Sequence, residues 1–242
     1  MNRSLRDYEV LSFDCYGTLI DWESGIWAAL QPLLMANAAT VNRPEVLAEF
    51  GRVEAAQEAG NPTLRYSDLL TVVHGDLATN LDLDSTDDMD AAFGASVPDW
   101  PEFADSADAL AFLSKKYRLA ILSNVDRTSF AGSNERLKVE FDAIYTAEDI
   151  GSYKPDPANF DYLLGHLEDE VGVVPDSVLH VAQSLYHDHA PAKAAGIDTV
   201  WIDRQHLSAG GEWGATTPIE YPPEPDHVFF TMADMARAIE ED

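Results

Sequence analysis

Apolar residues along the chain gather into short, nearly unbroken runs: EVLSFD at 9–14, RLAILSN at 118–124, AIYTAE at 143–148, SVLHVAQS at 177–184, DTVWIDR at 198–204 and HVFFTM at 227–232. Runs of this length and continuity suit strands of a parallel sheet that is covered on both faces. Between them, 105–117, 159–172 and 188–196 show helical spacing, and the last ends on Gly196, a residue suited to a helix C-cap. The alternation predicts an α/β fold built on a doubly wound parallel sheet.

From about Trp22 to Trp100 the pattern changes. Helical spacing recurs at 26–35, 45–58 and 66–80, broken by loop signals at Asn61-Pro62 and across 82–88, and no strand pattern intervenes. This predicts an α/β core of residues 1–21 and 101–242 interrupted by a helical insertion of residues 22–100. An insertion that follows the first strand so closely would lie over the carboxyl edge of the sheet, where open α/β folds bind ligands. The Gly- and Pro-rich stretch 208–225 reads as a long surface loop whose composition assigns it no chemistry.

A chain of 242 residues, against roughly 150 per domain, is consistent with one core and one sizeable insertion. No apolar run approaches the ~20 residues of a membrane span, and the N-terminal stretch lacks the apolar segment of a signal peptide, so a cytoplasmic location is expected. A single cysteine, Cys15, excludes an internal disulfide and a CxxC zinc site. With 43 acidic and 15 basic residues, the net charge of −28 argues against nucleic acid and anionic membranes as partners. Lysine occurs only at 115, 116, 138, 154 and 193, and self-repulsion of this order is tolerated best where salt screens it. A high-salt habitat is therefore expected.

Polar residues stand at the carboxyl ends of four of the expected strands. Asp14 ends the first, Ser123 and Asn124 the second, Lys154 lies in SYKPDP after the third, and Ser184, His187 and Asp188 follow the fourth. Parallel strands bring such ends into one crevice. In this order the segments FDCYGTLID, LSN, YKPDP and HVAQSLYHD resemble the four motifs of the haloacid dehalogenase superfamily, whose Rossmann-like core carries a helical cap at the position of the 22–100 insertion.

That superfamily consists mostly of magnesium phosphatases, which carry a second aspartate two residues after the nucleophile and an acid in the fourth motif. Here those positions read Tyr16 and Gln183, although Asp188 supplies an acid nearby. The form DxYGT is similar to the (S)-2-haloacid dehalogenase branch, also called L-2-haloacid dehalogenase. The resemblance implies an aspartate nucleophile, no metal and no cofactor, and a short 2-haloacid as the small-molecule substrate. Asp14 would displace halide from carbon and water would hydrolyse the resulting ester.

In that scheme Lys154 is the charge partner of Asp14, and Thr18 orients it. Ser123, Asn124, Ser184 and backbone amides near Tyr16 and Leu19 receive the substrate carboxylate, and Asp188 orients the water or holds Lys154; His187, where the family has an aromatic residue, is by its imidazole chemistry alone the other candidate to activate the water. Tyr16, Trp22 and Tyr66 would line the halide pocket, with Arg52 of the cap as the halide-binding cation. His180 and His189 read as structural, and His74 lies in the cap with no evident partner. Phe160, Gln183 and Leu185 depart from the polar residues of that branch. The competing functions are a magnesium-dependent phosphatase acting on small esters and a catalytically silent binding protein on the same fold. A homodimer through the cap is the assembly that analogy offers.

The acidic composition gives a first prediction. The Tm should rise as KCl is raised from about 0.1 M to above about 1 M, where the Debye length falls from ~10 Å to ~3 Å. A flat melting profile over that range would remove the high-salt expectation.

Overall fold

The computed structural model describes residues 3–241, so the outermost ends of the expected core, at residues 1, 2 and 242, lie outside the described residues. Six strands form one sheet: β1 Val10–Phe13, β2 Arg118–Ser123, β3 Ala143–Thr146, β4 Val178–Ala182, β5 Asp198–Ile202 and β6 His227–Phe229. Their order is β3-β2-β1-β4-β5-β6 and every pairing is parallel. All six correspond to the apolar runs in the sequence. Side chains alternate across the sheet, so Leu11, Phe13, Ile121 and Val181 enter one core while Val10, Ala120, Leu122 and Val178 enter the other.

β1 is central, flanked by β2 with Val10 opposite Arg118 and by β4 with Val10 opposite Val178. β2 and β3 are added on one side of β1 and β4 to β6 on the other, so the strand order switches sense at β1, which opens a crevice at its carboxyl end. Asp14 is the first residue beyond that end.

Five helices separate β1 from the later core elements: α1 Trp22–Ala29, α2 Gln31–Ala36, α3 Arg43–Gly60, α4 Tyr66–Asn80 and α5 Asp87–Gly94. The core helices are α6 Ser106–Leu113, α7 Arg127–Leu137, α8 Ala147–Ile150, α9 Ala158–His166, α10 Ala190–Ala194 and α11 Met232–Glu241. α9 runs into a wider π-type turn, Leu167–Val171, which Gly172 ends at a φ of 72°.

Helices α5 and α7 are among those that go beyond the elements expected from periodicity. α5 begins inside an acidic run that reads as a loop, because Thr86 caps it by accepting from the Met89 amide and Asp87, Asp88 and Asp90 sit favourably in its first turn. α7 is capped in the same way by Asp126, whose side chain accepts from the Ser129 amide.

α3 buries Val46, Phe50, Glu54 and Glu58 at successive intervals of four, together with Leu47, Gly51 and Val53. Its close approach to the loop at Ala215 depends on Gly51, where an added Cβ would collide with the Ala215 carbonyl oxygen. Gly51→Ala is therefore expected to destabilise the fold by about 1–3 kcal/mol through overpacking. Urea denaturation checks this, since the same change on the exposed side of a helix would be neutral or stabilising.

Candidate active site

At the carboxyl edge of the sheet the side chains named from the sequence come together around one ammonium group. Lys154 Nζ donates to Asp14 Oδ1 at 3.0 Å, to Asp188 Oδ1 at 2.6 Å and to the Leu122 carbonyl at 2.9 Å. Three strands thus converge on it: β1 through Asp14, β2 through Leu122 and β4 through Asp188. Lys154 is 1% exposed, so its charge is compensated by the two carboxylates and not by water.

The other oxygen of Asp14, Oδ2, accepts from Thr18 Oγ1 at 2.7 Å, and Thr18 in turn accepts from the Gln183 amide at 2.9 Å. Thr18 therefore orients Asp14 and ties the turn after β1 to that after β4. Asp188 Oδ1 also meets His180 Nε2 at 2.9 Å, and His180 Nδ1 meets Ser12 Oγ at 2.8 Å. His180 is structural in the sense expected, yet it is part of the site because it fixes the anchor of Lys154. Phe160 stands edge-on to its ring, with centroids 5.1 Å apart.

Burial pushes Asp14 above the ordinary carboxylate range, Lys154 opposing this and Asp188 reinforcing it. Burial acts on Asp188 in the same sense, but Lys154 and His180 outweigh it and hold that carboxylate well below its usual value. Lys154 would lose its proton more readily through burial alone, and Asp14 and Asp188 together hold it above normal. Lys154 and Asp188 thus form the strongly held ion pair of the triad, and Asp14 shares the same ammonium as the carboxyl that burial raises.

Asn124 departs from its expected role. Its Oδ1 accepts from the Lys154 amide at 2.7 Å, while its Nδ2 donates to the Lys154 carbonyl at 3.0 Å and to Glu58 Oε1 at 3.2 Å. Its donors are engaged, so it positions the Lys154 backbone. Ser123 is different: its Oγ is buried and has no hydrogen-bond partner, and it lines the same pocket. The Leu19 amide, expected to be free, donates to the Cys15 carbonyl at 2.8 Å, whereas the Cys15 and Tyr16 amides take no part in the hydrogen bonds of this turn.

The largest correction concerns Arg52. Its side chain is exposed and pairs with Glu49 on the outer side of α3, at 2.6 Å, and it takes no part in the pocket. The reason is helical geometry, because position 52 lies two residues, or about 200°, from Phe50 on the inward stripe. The residues that α3 turns into the pocket are Glu54 and Glu58, which sequence reasoning missed. A carboxylate at every fourth position of an otherwise apolar stripe, Val46, Phe50, Glu54, Glu58, was the available signal.

Tyr16, Trp22 and Tyr66 line the pocket as expected. The Tyr16 hydroxyl is paired with Ser133 Oγ at 2.9 Å, and its ring stacks on Tyr66 and meets Trp100 edge-on. His187 and Ser184 also face the pocket, with His187 Nδ1 3.3 Å from Ser184 Oγ. Burial drives His187 down to about 4, so it is a neutral imidazole at pH 7. Both sit at the wide turn Leu185–His189 that follows β4. His189 is held by the Ala182 carbonyl and His74 by Asp90, both away from Asp14. The loop that composition left without chemistry supplies Thr216 and Thr217 to the pocket wall, Thr216 and Gln205 holding Gln183.

A family model for haloacid dehalogenase-like hydrolases matches residues 8–196. The chain belongs to that family. Among curated proteins this hydrolase is similar to (S)-2-haloacid dehalogenase 4A of Burkholderia cepacia, with 28% identity over 202 residues that make up 80% of this chain and 82% of the relative. Among solved structures, the L-2-haloacid dehalogenase of Xanthobacter autotrophicus superposes with a TM-score of 0.75 at 21% identity, covering 96% of this chain and 98% of that one. A defluorinating L-2-haloacid dehalogenase gives a TM-score of 0.78 at 18% identity, covering 98% of each chain. The magnesium-bound hydrolase YfnB of Bacillus subtilis gives 0.75 at 15%, covering 96% of this chain and 99% of that one. At these identities the superpositions establish the fold, and they do not separate metal-dependent from metal-independent chemistry. No helix among the described residues is long and apolar enough to cross a membrane.

The shared ammonium is the feature most exposed to test. Lys154→Met leaves Asp14 and Asp188 facing each other without a cation and is expected to cost about 3–5 kcal/mol at pH 7. Both carboxyls then titrate above their unfolded values, so their burden grows as pH rises and is relieved as they protonate. The Tm deficit relative to the unaltered protein should therefore shrink between pH 8 and pH 5, and a deficit that widens on acidification would contradict this account.

Proposed function

We propose that this hydrolase opens the carbon–halogen bond of short 2-haloalkanoates through an ester on Asp14, releasing the 2-hydroxy acid and halide. The observation that carries the proposal is the setting of Asp14: a buried carboxyl group held by Thr18 and Lys154, lining a pocket whose adjacent wall is aromatic. The similarity to a curated (S)-2-haloacid dehalogenase supports it.

Asp14 attacks C2 from the side opposite the halogen, the new C–O bond forming as the C–X electron pair leaves with halide. Water then adds to the Asp14 carboxyl carbon and the C2-bearing oxygen departs as the hydroxyl of the product, regenerating the carboxylate. Asp188 is committed to Lys154 and His180, which makes it a positioning residue and leaves neutral His187 to take the proton of the water. Ser123 Oγ, which lines the pocket, has no hydrogen-bond partner, and the Cys15 and Tyr16 amides next to Asp14 donate to no backbone carbonyl among the described residues. Tyr16, Trp22 and Tyr66 are left to surround the departing halide.

A magnesium phosphatase fits the donor set poorly. Tyr16 stands where the proton donor to an alcohol leaving group would be, and its hydroxyl is turned to Ser133. Asp14 and Asp188 are already bridged by the Lys154 ammonium, and among the described residues no group of three or more His, Cys, Asp or Glu side chains is spaced to hold a metal ion.

A single turnover in H₂¹⁸O should place the label in the Asp14 peptide, read by mass spectrometry, and Asp14→Asn should abolish halide release while keeping the native circular dichroism spectrum. Hydrolysis of p-nitrophenyl phosphate that requires Mg²⁺, with no chloride released from 2-chloropropionate, would overturn the proposal.

A further inference from the structure

The pocket that should admit an anion has an acidic ceiling. Glu54 and Glu58, one turn apart on α3, are 7% and 6% exposed, and both face the cavity that contains Asp14. No lysine or arginine forms an ion pair with either among the described residues. Each has one oxygen occupied by a neutral donor: Glu54 Oε1 accepts from the Tyr66 hydroxyl at 2.5 Å and Glu58 Oε1 from Asn124 Nδ2 at 3.2 Å. The second oxygen of Glu58 is 3.9 Å from His187 Nε2 and that of Glu54 makes no hydrogen bond. Glu58, Lys154 and His187 also line the adjoining crevice beside Pro62 and Tyr186, so Glu58 stands between that opening and the catalytic floor.

We propose that Glu54 and Glu58 act as a pair of neutral carboxylic acids whose O–H groups receive the carboxylate of the incoming substrate. This rests on the dehalogenase proposal for the nature of the substrate. An O–H to carboxylate hydrogen bond is short and strong, and two such donors provide the bidentate recognition that a guanidinium gives elsewhere. Ionised, the same pair would add two negative charges to a site that already holds Asp14 and Asp188 against one lysine, and it would repel a haloacid.

Burial favours the neutral form, pushing Glu54 up to about 7 and Glu58 well above the ordinary range, the latter with help from Glu54. The groups facing the pair are Tyr66 from α4, Tyr153 and Lys154 from the loop after α8, His187 and Asp188 after β4, and Asp14 and Tyr16 after β1. Lys154 and the three tyrosines are held above their usual values, and His187 and Asp188 below theirs, so none of these changes charge between pH 6 and pH 9. Asp14 is the other carboxyl that burial raises, and Asp14→Asn removes it from the titration.

The experiment is calorimetric binding of propionate, which needs no turnover, to Asp14→Asn from pH 6 to pH 9. Affinity should fall by about tenfold or more between pH 7 and pH 9 as Glu54 ionises. Adding Glu54→Gln and Glu58→Gln, whose amides donate at every pH, should hold affinity constant within about twofold across that range. A pH-independent affinity in the protein that keeps both glutamates would overturn the inference, as would binding of propylammonium in preference to propionate. Propionate binding of the expected pH dependence, with no halide released from any haloacid by the unaltered protein, would uphold the carboxyl pair and reject the dehalogenase proposal. Halide release with a KM independent of pH would do the reverse.

Discussion

A single ammonium group, shared between two carboxylates at the centre of the sheet edge, organises the rest of this molecule. Lys154 comes from a loop after β3, at one margin of the sheet, yet its Nζ sits among groups from β1, β2 and β4. Removing such a charge from water costs several kcal/mol, which only close partners offset. The partners are therefore themselves fixed: Asp14 by Thr18, Asp188 by His180, His180 by Ser12, and the Lys154 backbone by Asn124. The parallel strand order is what brings these residues to one edge, and the polar network limits how the turns after β1 and β4 can be arranged.

The helical insertion meets this edge through one face of α3. Close packing at Gly51 brings the helix against the loop at Ala215, whose amide donates to Glu23 of α1 at 2.8 Å. Cap helix, surface loop and core turn are thus joined around the pocket by direct hydrogen bonds. Thr216 and Gln205 extend the same framework to Gln183, the residue that departs from the fourth motif of the phosphatases. Gln183 is consequently a strut between the loop and the β4 turn, which explains how a neutral residue is accommodated where the family commonly places an acid.

The core of the site was readable because its residues end strands, and strands announce themselves as apolar runs. Asp14 directly follows β1, Ser123 ends β2 and Asp188 lies in the turn after β4, and Lys154 lies in a motif whose order is diagnostic. The cap was less legible for a physical reason. α3 carries charged residues around most of its circumference, so periodicity located the helix without deciding which face turned inward. Arg52, attractive as a cation, lies on the outer face; Glu54 and Glu58, unattractive as buried charges, lie on the inner one. Loop chemistry was hidden in the same way, since Thr216 reaches the pocket by a long-range packing contact that local composition does not encode. The acidic start of α5 resembled a loop because aspartate favours both turns and helix N-termini.

Sharing one cation between two carboxylates also bears on the nucleophile role proposed for Asp14. A private lysine would neutralise it, whereas here Asp188 takes the shorter of the two contacts, 2.6 Å against 3.0 Å, and leaves Asp14 incompletely compensated. Burial strips most of the water from the same carboxylate, and an anion so placed is raised in energy relative to one in solution. Thr18 holds its second oxygen, so orientation is fixed without a second positive charge. These conditions suit attack on a neutral carbon, where the developing negative charge moves outward onto the leaving group. They suit attack on a phosphate dianion poorly, because that centre brings its own charge to the pocket and, among the described residues that line it, Lys154 is the one lysine or arginine. The electrostatics of the floor and the neutral donors proposed for the ceiling agree on the substrate of the proposed reaction: a small molecule with one negative group and an uncharged, polarisable bond to carbon.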